Sequence, residues 1–260
     1  NVSNLDAGDL VRFAIVIENI GTSYRGAFDV QLRDELPPGL SYAGNLSIVD
    51  GTGVALAYTK PDGSAATAAD FFSANGVMLT DPGATPASGG DGLNGGAIDG
   101  YSASSGRNIA VVVFDAVVDT SAYGNLPIGG GSLINKGILE DYANVQIPGA
   151  STFLPGLTNL NDLATVNLRK GEITKSVVST SEASTSGNNV AIGEIVRYRL
   201  QVNIPEGELK GFQVSDVLPA GLSFLNDGTA KLALVGSSVN SFSWTLADPI
   251  AKYFQVSSGD

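Results

Sequence analysis

The sequence predicts an all-β chain in which one structural repeat occurs twice. Runs of β-branched residues are separated by Gly, Pro, Asn and Asp, which is typical of short strands joined by turns. The 33 glycines of the 260-residue chain supply many such turn positions. In addition, the stretch RDELPPGLSY at residues 33–42 returns as SDVLPAGLSF at residues 215–224. A motif repeated within one chain usually marks a repeated structural unit.

Each copy of this motif is preceded by a strand with the same alternation. AGDLVRFAIVI (residues 7–17) aligns with IGEIVRYRLQV (residues 192–202) when Val11 is placed against Val196. The apolar face then carries Val11, Phe13, Ile15 and Ile17 in the first copy and Val196, Tyr198, Leu200 and Val202 in the second. The opposite face begins with an arginine in both copies, so each segment is predicted to be a half-buried antiparallel strand.

The repeated motif itself is predicted to be a strand end followed by a tight turn, Asp-x-Leu-Pro-x-Gly-Leu. Proline lacks the amide donor that strand pairing needs, and Gly39 and Gly221 permit a sharp reversal. Further along the first copy, residues 108–119 alternate as a long strand. The stretches SLINKGILEDYANVQI and LATVNL supply its predicted closing strands.

This order of motifs resembles the bacterial DUF11-type surface repeat, a family that overlaps with the fimbrial isopeptide-forming domains. The resemblance rests on four motifs in succession: Gly-Asp/Glu-x-Val-x-Tyr/Phe, Asp-x-Leu-Pro-x-Gly-Leu, Asn-x-Gly/Ala-x-Leu/Val and Ala-Thr-Val. It implies tandem immunoglobulin-like β-sandwiches of the kind that are repeated in long extracellular proteins.

The repeat predicts two domains, residues 1–169 and residues 170–260. LATVNLRK closes the first copy and GEITKSVV opens the second with hardly a linker between them. The second sandwich is expected to be incomplete, because no equivalent of INKGIL or ATVNL follows its turn within the chain. Its closing strands are expected to come either from a continuation of the chain or from a neighbouring subunit by strand donation.

Composition excludes several classes of function. The 26 acidic and 14 basic residues give a formal net charge of −12, and such a surface repels phosphate backbones, so nucleic acid is not expected as a partner. The absence of Cys and His excludes zinc sites, thiol chemistry and Ser-His-Asp or Cys-His nucleophiles. No apolar run reaches the roughly 18 residues of a membrane span. We therefore expect neither an enzyme nor a membrane-spanning segment.

The first copy carries an insertion at about residues 50–106 that a minimal sandwich does not need. Its second half, residues 81–106, is rich in Gly, Ser, Ala and Asp. Asp81, Asp91 and Asp99 offer oxygen ligands of the kind that Ca²⁺ prefers. Their spacing matches neither an EF-hand nor a nonapeptide repeat. The sequence therefore leaves two interpretations of this segment, a calcium site or a solvated flexible loop.

The resemblance also implies a covalent cross-link, in which a Lys on the first strand joins an Asn on a late strand with the help of a buried acid. The second copy offers Lys175 and Asp216 for these roles, and the first copy offers Asp34 and Asn135. A buried carboxyl keeps its proton because desolvation raises its pKa. The alternative interpretation is that both Asp residues merely cap the Leu-Pro turn by accepting hydrogen bonds from backbone amides.

The function expected from these features is structural. The chain is predicted to be a segment of a large secreted bacterial surface protein, such as a stalk, fibre or surface-layer element. It is expected outside the cell or at the cell surface, with neighbouring repeats or copies of itself as partners and with Ca²⁺ as the single candidate cofactor. The alternative is a calcium-dependent adhesin whose insertion contacts glycan or protein.

Overall fold

The computed structural model of the chain describes residues 1–21, 26–82, 95–119, 131–143, 160–187, 189–206, 213–234 and 242–245. Within these ranges it contains thirteen β-strands and one five-residue 3-10 helix, which confirms the all-β prediction. None of the described residues belongs to a helix with the length and apolar character needed to cross a membrane. The chain divides into two compact units, Asn1–Lys210 and Gly211–Asp260, while the repeat-based domains 1–169 and 170–260 stay a prediction.

The first copy of the repeat contains nine strands. They are β1 (Val2–Leu5), β2 (Leu10–Glu18), β3 (Phe28–Glu35), β4 (Leu40–Asp50), β5 (Tyr58–Thr59), β6 (Val77–Leu79), β7 (Ile109–Val118), β8 (Ser132–Ala143) and β9 (Leu160–Leu168). The 3-10 helix, Ala68–Phe72, lies between β5 and β6. The strands form a three-stranded sheet in the order β2-β7-β4 and a six-stranded sheet in the order β1-β9-β8-β3-β6-β5.

This strand order is that of an immunoglobulin-like sandwich. In a constant-type immunoglobulin domain, strands A, B, E and D form one sheet and strands C, F and G the other. Here β2, β7 and β4 occupy the B, E and D positions, and β3, β8 and β9 occupy C, F and G. All pairs in the two sheets are antiparallel except β1 with β9, which is parallel.

The core lies between the two sheets and follows the alternation read from the sequence. On β2, Val11 and Phe13 are buried, and Ile15 and Ile17 pack against the core as partly buried residues. On β7, every second side chain is fully buried: Ala110, Val112, Phe114, Ala116 and Val118. The rings of Phe13 and Phe114 stack with their centroids 5.4 Å apart. Both predicted strands are therefore confirmed, with the predicted face inward.

The described part of the insertion is integrated into the first sandwich. Its strand β6 pairs with β3, and β5 extends the sheet beyond β6. Phe71 of the 3-10 helix is fully buried, and Ile98 is buried where it bridges to Ala27. A side chain at Gly96 would lie 2.2 Å from the Ala27 carbonyl oxygen, so only glycine fits there. The flexible-loop interpretation is therefore wrong for residues 95–100, and residues 83–94 lie outside the described residues.

The repeated turn has the same geometry in both copies. The Leu40 amide donates to the Pro37 carbonyl at 3.0 Å, and the Leu222 amide donates to the Pro219 carbonyl at 3.1 Å. The glycine between them has a positive φ in each case, 107° in the first copy and 94° in the second. This is the left-handed region that glycine enters without steric cost.

The second copy contributes two separate antiparallel pairs. Strands β10 (Glu172–Thr180) and β11 (Val196–Asn203) form one, and β12 (Lys231–Leu234) and β13 (Phe242–Thr245) form the other. On β11, the side chains of the predicted inner face are less exposed than their neighbours: Val196, Tyr198, Leu200 and Val202. The alternation of β2 is thus repeated in β11. The source of the second copy's closing strands stays a prediction.

Candidate functional site

A buried carboxyl–amide pair lies between the sheets of the first sandwich. Strand β3 directs every second residue into the core, and Asp34 takes the position after Val30 and Leu32 in that series. The neighbouring strand β8 directs Asn135 to the same face, since the register pairs Asp34 with Gly137, two residues further on. Asp34 and Asn135 are both buried. The Nδ2 of Asn135 donates a hydrogen bond of 2.8 Å to Oδ2 of Asp34.

Two acceptor atoms of this pair have no hydrogen-bond donor among the residues that the structure describes. They are Oδ1 of Asp34 and Oδ1 of Asn135, which are both buried. Leaving a buried polar atom unpaired costs about 1–3 kcal/mol, which is why such atoms are rare in folded proteins. When Asp34 is ionised, the pair therefore has an unmet capacity for a hydrogen-bond donor.

The carboxyl of the pair is poised to exchange a proton near neutral pH. Burial raises the pKa of Asp34 from 3.8 to about 7, although the hydrogen bond from Asn135 and the charge of Arg33 act in the opposite direction. Arg33 itself is held outside the core by ion pairs with Glu140 and Glu35. A carboxyl with a pKa near the ambient pH is well suited to act as a general acid and base.

A cleft of about 110 Å³ reaches Asn135 of this pair. It is lined by β2, β8 and β9, through residues that include Ile15, Asn135, Gly137 and Asp162. Gly137 lies between Asp34 on β3 and Asp162 on β9 in one row across the sheet. A side chain at Gly137 would come within 2.8 Å of Cδ1 of Ile15. The glycine thus lets β2 approach β8 beside the pair.

The structure brings together two of the four residues predicted for the cross-link. The hydrogen bond shown for Asp34 goes to Asn135 and not to an amide of the Leu-Pro turn, so the turn-capping interpretation is wrong for Asp34. Lys175 lies on β10, with its ammonium 4.6 Å from the centre of the Tyr198 ring, a cation–π distance. Asp216 belongs to the second unit and is exposed, unlike its counterpart in the first copy.

The predicted calcium ligands have other roles where the structure describes them. Asp81 accepts hydrogen bonds from the amides of Ala97, at 2.9 Å, and Asp29, at 3.2 Å, so it fastens the insertion to the start of β3. Burial raises the pKa of Asp81 to about 6 and also raises that of Asp99. Asp91 lies outside the described residues. No group of three potential metal-binding side chains converges in the part of the chain that the structure describes, and the calcium site stays a prediction.

Comparison with known proteins gives little further information. No protein-family model matches the chain, and a search of curated proteins finds no match either. Among solved structures, the chain is similar to the T6 backbone pilin of serotype M6 Streptococcus pyogenes, which is described as a modular three-domain structure decorated with variable loops and extensions. The identity is 15% and the TM-score 0.36, with 94% of this chain and 48% of the pilin covered.

The chain thus spans about half the length of that pilin. At this TM-score the likeness supports no argument about function. The class of protein is defined by the strand order of the first sandwich: an all-β chain with an immunoglobulin-like fold and a buried Asp–Asn pair in its core.

Proposed function

We propose that this chain is a structural segment of a secreted bacterial surface protein, such as a stalk, fibre or surface-layer element. We further propose that its first sandwich holds the acceptor half of a lysine–asparagine isopeptide cross-link. The repeated Asp-x-Leu-Pro-x-Gly-Leu motif and the immunoglobulin-like strand order support the first proposal. The fully buried Asp34, hydrogen-bonded to Asn135 and with two adjacent acceptor atoms unpaired, supports the second. An acid and an amide that are buried together cost stability, so their presence in a core is better explained by chemistry than by packing.

The cross-linking step is a balanced exchange of one amide for another. The neutral amine of a lysine attacks Cγ of Asn135 and forms a new C–N bond. The Cγ–Nδ2 bond breaks, and Nδ2 leaves as ammonia with the proton that the amine gives up. Asp34 is placed to carry that proton, because its Oδ2 already contacts Nδ2 at 2.8 Å. The reaction requires neither an oxidant nor a further reactant.

A cross-link of this kind serves a structural role. It is made once and stays in the product, so it gives no turnover. It also ties a strand permanently to β8 in the middle of the six-stranded sheet. Covalent closure of a loop restricts the unfolded chain and stabilises the folded one, by about 2–4 kcal/mol for disulfides. Such a gain suits a protein that must resist unfolding outside the cell.

The proposal is tested by offering the acceptor a lysine strand. The full chain with Lys175→Arg, which removes its own nucleophile on β10, is mixed with a synthetic peptide of the sequence Glu172–Thr180. Intact mass spectrometry is expected to show an adduct equal to the sum of the two masses less one ammonia. Peptide mapping is expected to place the bond at Asn135.

Three controls define the chemistry. A peptide with Ala in place of Lys175 and a chain with Asn135→Ala should give no adduct. The chain with Asp34→Asn, which keeps the shape of the side chain, should bind the peptide without forming the bond. Peptide binding without any covalent adduct to the parent acceptor, over the full range of neutral pH, would contradict the proposal.

A further inference from the structure

In the part of the chain that the structure describes, one edge of the first sandwich next to the Asp34–Asn135 pair has no strand paired with it. Strand β2 is the last strand of its sheet, and no described strand pairs with its outer edge. This is the position that strand A occupies in an immunoglobulin sandwich. On the opposite sheet, β1 pairs with β9 only near Val166 and Leu168, and the cleft lies between the remaining part of β9 and β2. An open strand edge is a template for another strand.

The second copy of the repeat shows which strand fits this edge. Its strand β10 pairs antiparallel with β11, and β11 is the repeat equivalent of β2. In that pair Lys175 lies opposite Leu200, whose equivalent in the first copy is Ile15. Residues directly opposite each other in an antiparallel pair project to the same face. A β10 strand bound to β2 in the same register therefore places its lysine beside Ile15, where the cleft is lined by Asn135.

The neighbouring positions fit the same register. Ile173 of β10 lies opposite Val202, the equivalent of Ile17, and Val177 lies opposite Tyr198, the equivalent of Phe13. Ile17 and Phe13 are both apolar residues of the inner face of β2. The aromatic ring that the Lys175 ammonium approaches in β11 thus has an aromatic counterpart in β2, Phe13.

Charge and hydrogen bonding are also complementary. The cleft is lined by Asp162 and by Asn135, the hydrogen-bond partner of Asp34, and its described lining contains no cation. Two buried oxygens of the Asp34–Asn135 pair have no donor. Lys175 is the one basic residue of Glu172–Thr180; its formal charge is opposite to that of Asp162, and its amine supplies a hydrogen-bond donor for the buried oxygens.

We propose that the edge of β2 and its cleft bind strand β10 of a second copy of this chain, so that Lys175 of one copy and Asn135 of the other form an intermolecular isopeptide bond. The inference rests on the proposed function of the Asp34–Asn135 pair and adds the identity of the partner. The bond forms by the same exchange, with one ammonia released for each Lys175–Asn135 linkage.

Strand β10 is suited to this exchange. In the described part of the chain it belongs to a two-stranded sheet, and its residues from Glu172 to Ser179 are all exposed. Ile173 and Val177 keep 57% and 49% of their surface in contact with solvent. Binding to β2 replaces the ladder that β10 forms with β11 by a ladder in the equivalent register. Because each chain has both a donor strand and an acceptor cleft, the contact is head-to-tail and is available again on every added copy.

Two complementary variants test the partner directly. Lys175→Arg keeps the acceptor and loses the nucleophile, and Asn135→Ala keeps the nucleophile and loses the acceptor. The parent chain is expected to form a ladder of covalent oligomers that survives denaturing gels, and each variant alone is expected to stay monomeric. An equal mixture of the two is expected to give one covalent species, a dimer with the mass of both chains less one ammonia. Asp34→Asn serves as a second donor-only chain should Asn135→Ala fail to fold.

The result separates this inference from the proposed function on which it rests. If the Glu172–Thr180 peptide reacts with the Lys175→Arg chain but the two variant chains do not react with each other, the acceptor is real and the second-copy partner is overturned. A parent chain that loses one ammonia while staying monomeric overturns it too, since the bond is then internal. If neither the peptide nor the chain reacts, the proposed function itself fails.

Discussion

At the scale of single residues, the core of the first sandwich contains one position where packing and polarity conflict. Asp34 occupies an inward position of β3 that three apolar residues precede, and its carboxyl is fully buried. The conflict is resolved in part by the hydrogen bond from Asn135 and in part by a proton, since burial raises the pKa of Asp34 to about 7. The cost that remains depends on pH, which makes it measurable.

The first prediction concerns the pH dependence of stability. The folded chain keeps the Asp34 proton up to about pH 7, whereas the unfolded chain releases it near 3.8. The stabilising contribution of the protonated carboxyl is therefore fully present below about pH 4 and is lost as the pH rises to about 7, by about 1.4 kcal/mol per unit. We expect Asp34→Asn to flatten this slope and to be the more stable chain at alkaline pH, as measured by urea unfolding.

Asp62→Asn is the matched control for this prediction. Asp62 is exposed, and its hydrogen bonds from Ser64 lower its pKa, so its replacement should leave the slope between about pH 4 and pH 7 unchanged. Equal slopes for the parent and the Asp34→Asn chain would show that the carboxyl is not protonated in the folded state.

The resemblance to isopeptide-forming domains named both members of the pair and implied that they meet, but the residue pattern alone does not give their contact. Asp34 lies in the repeated Asp-x-Leu-Pro motif, and Asn135 lies in LINKGIL. The two residues are 101 positions apart, and their contact depends on the register of β3 on β8. Long connections leave that register open, because no short hairpin turn specifies it. Gly137 and Asp162 could not be predicted as neighbours of the pair for the same reason. Both lie in one row with Asp34 across the sheet, and that row depends on the register of the strands.

At the scale of elements, strands could be predicted where the alternation of apolar and polar residues was long. The short strands and the 3-10 helix of the insertion could not be predicted. Nine or more alternating residues in β2 and β7 gave the inner face correctly. The insertion contributes strands of two and three residues and a 3-10 helix of five residues, which are too short to show a period. The insertion packs into the hydrophobic core through two adjacent aromatic residues, Phe71 and Phe72. Their ring centroids lie 5.9 Å and 5.1 Å from that of Phe114.

The second prediction tests whether the insertion belongs to the core. Phe71→Ala removes a fully buried ring and is expected to cost about 3–5 kcal/mol in the free energy of unfolding. Val54→Ala, in the same insertion but at a residue that is 60% exposed, should change stability by less than about 0.5 kcal/mol. Urea unfolding with unchanged m-values measures both. A cost below about 1 kcal/mol for Phe71→Ala would indicate that the insertion folds apart from the sandwich.

At the scale of the whole molecule, the repeat was visible in the sequence and the open edge was not. Two matched strands and two matched turns identified the copies. Strand order decides which edge lacks a partner, and order is a property of the folded chain that alternation does not encode. The net charge of −12 acts at this scale as well, because two copies of the chain repel each other at long range.

The third prediction follows from that repulsion. Salt screens the charges of two approaching chains, with a Debye length of about 10 Å at 0.1 M, so covalent coupling between copies is expected to speed up as salt is added. The Glu172–Thr180 peptide carries one Glu and one Lys and approaches with little net charge. Its coupling to the Lys175→Arg chain is therefore expected to depend on salt much less. Equal salt dependence of the two reactions would indicate that encounter between copies does not limit the coupling.

The central claim is that Asp34 and Asn135 together accept a lysine strand, and the pH dependence of coupling tests it most directly. The rate of adduct formation between the Lys175→Arg chain and the Glu172–Thr180 peptide is followed by intact mass from acidic to alkaline pH. Since the pKa of Asp34 is raised to about 7, we predict a rate that declines above that pH and an Asp34→Asn chain that forms no adduct at any pH. A rate that keeps rising with pH and is unchanged by Asp34→Asn would contradict the claim, because the lysine would then be reacting without the buried acid.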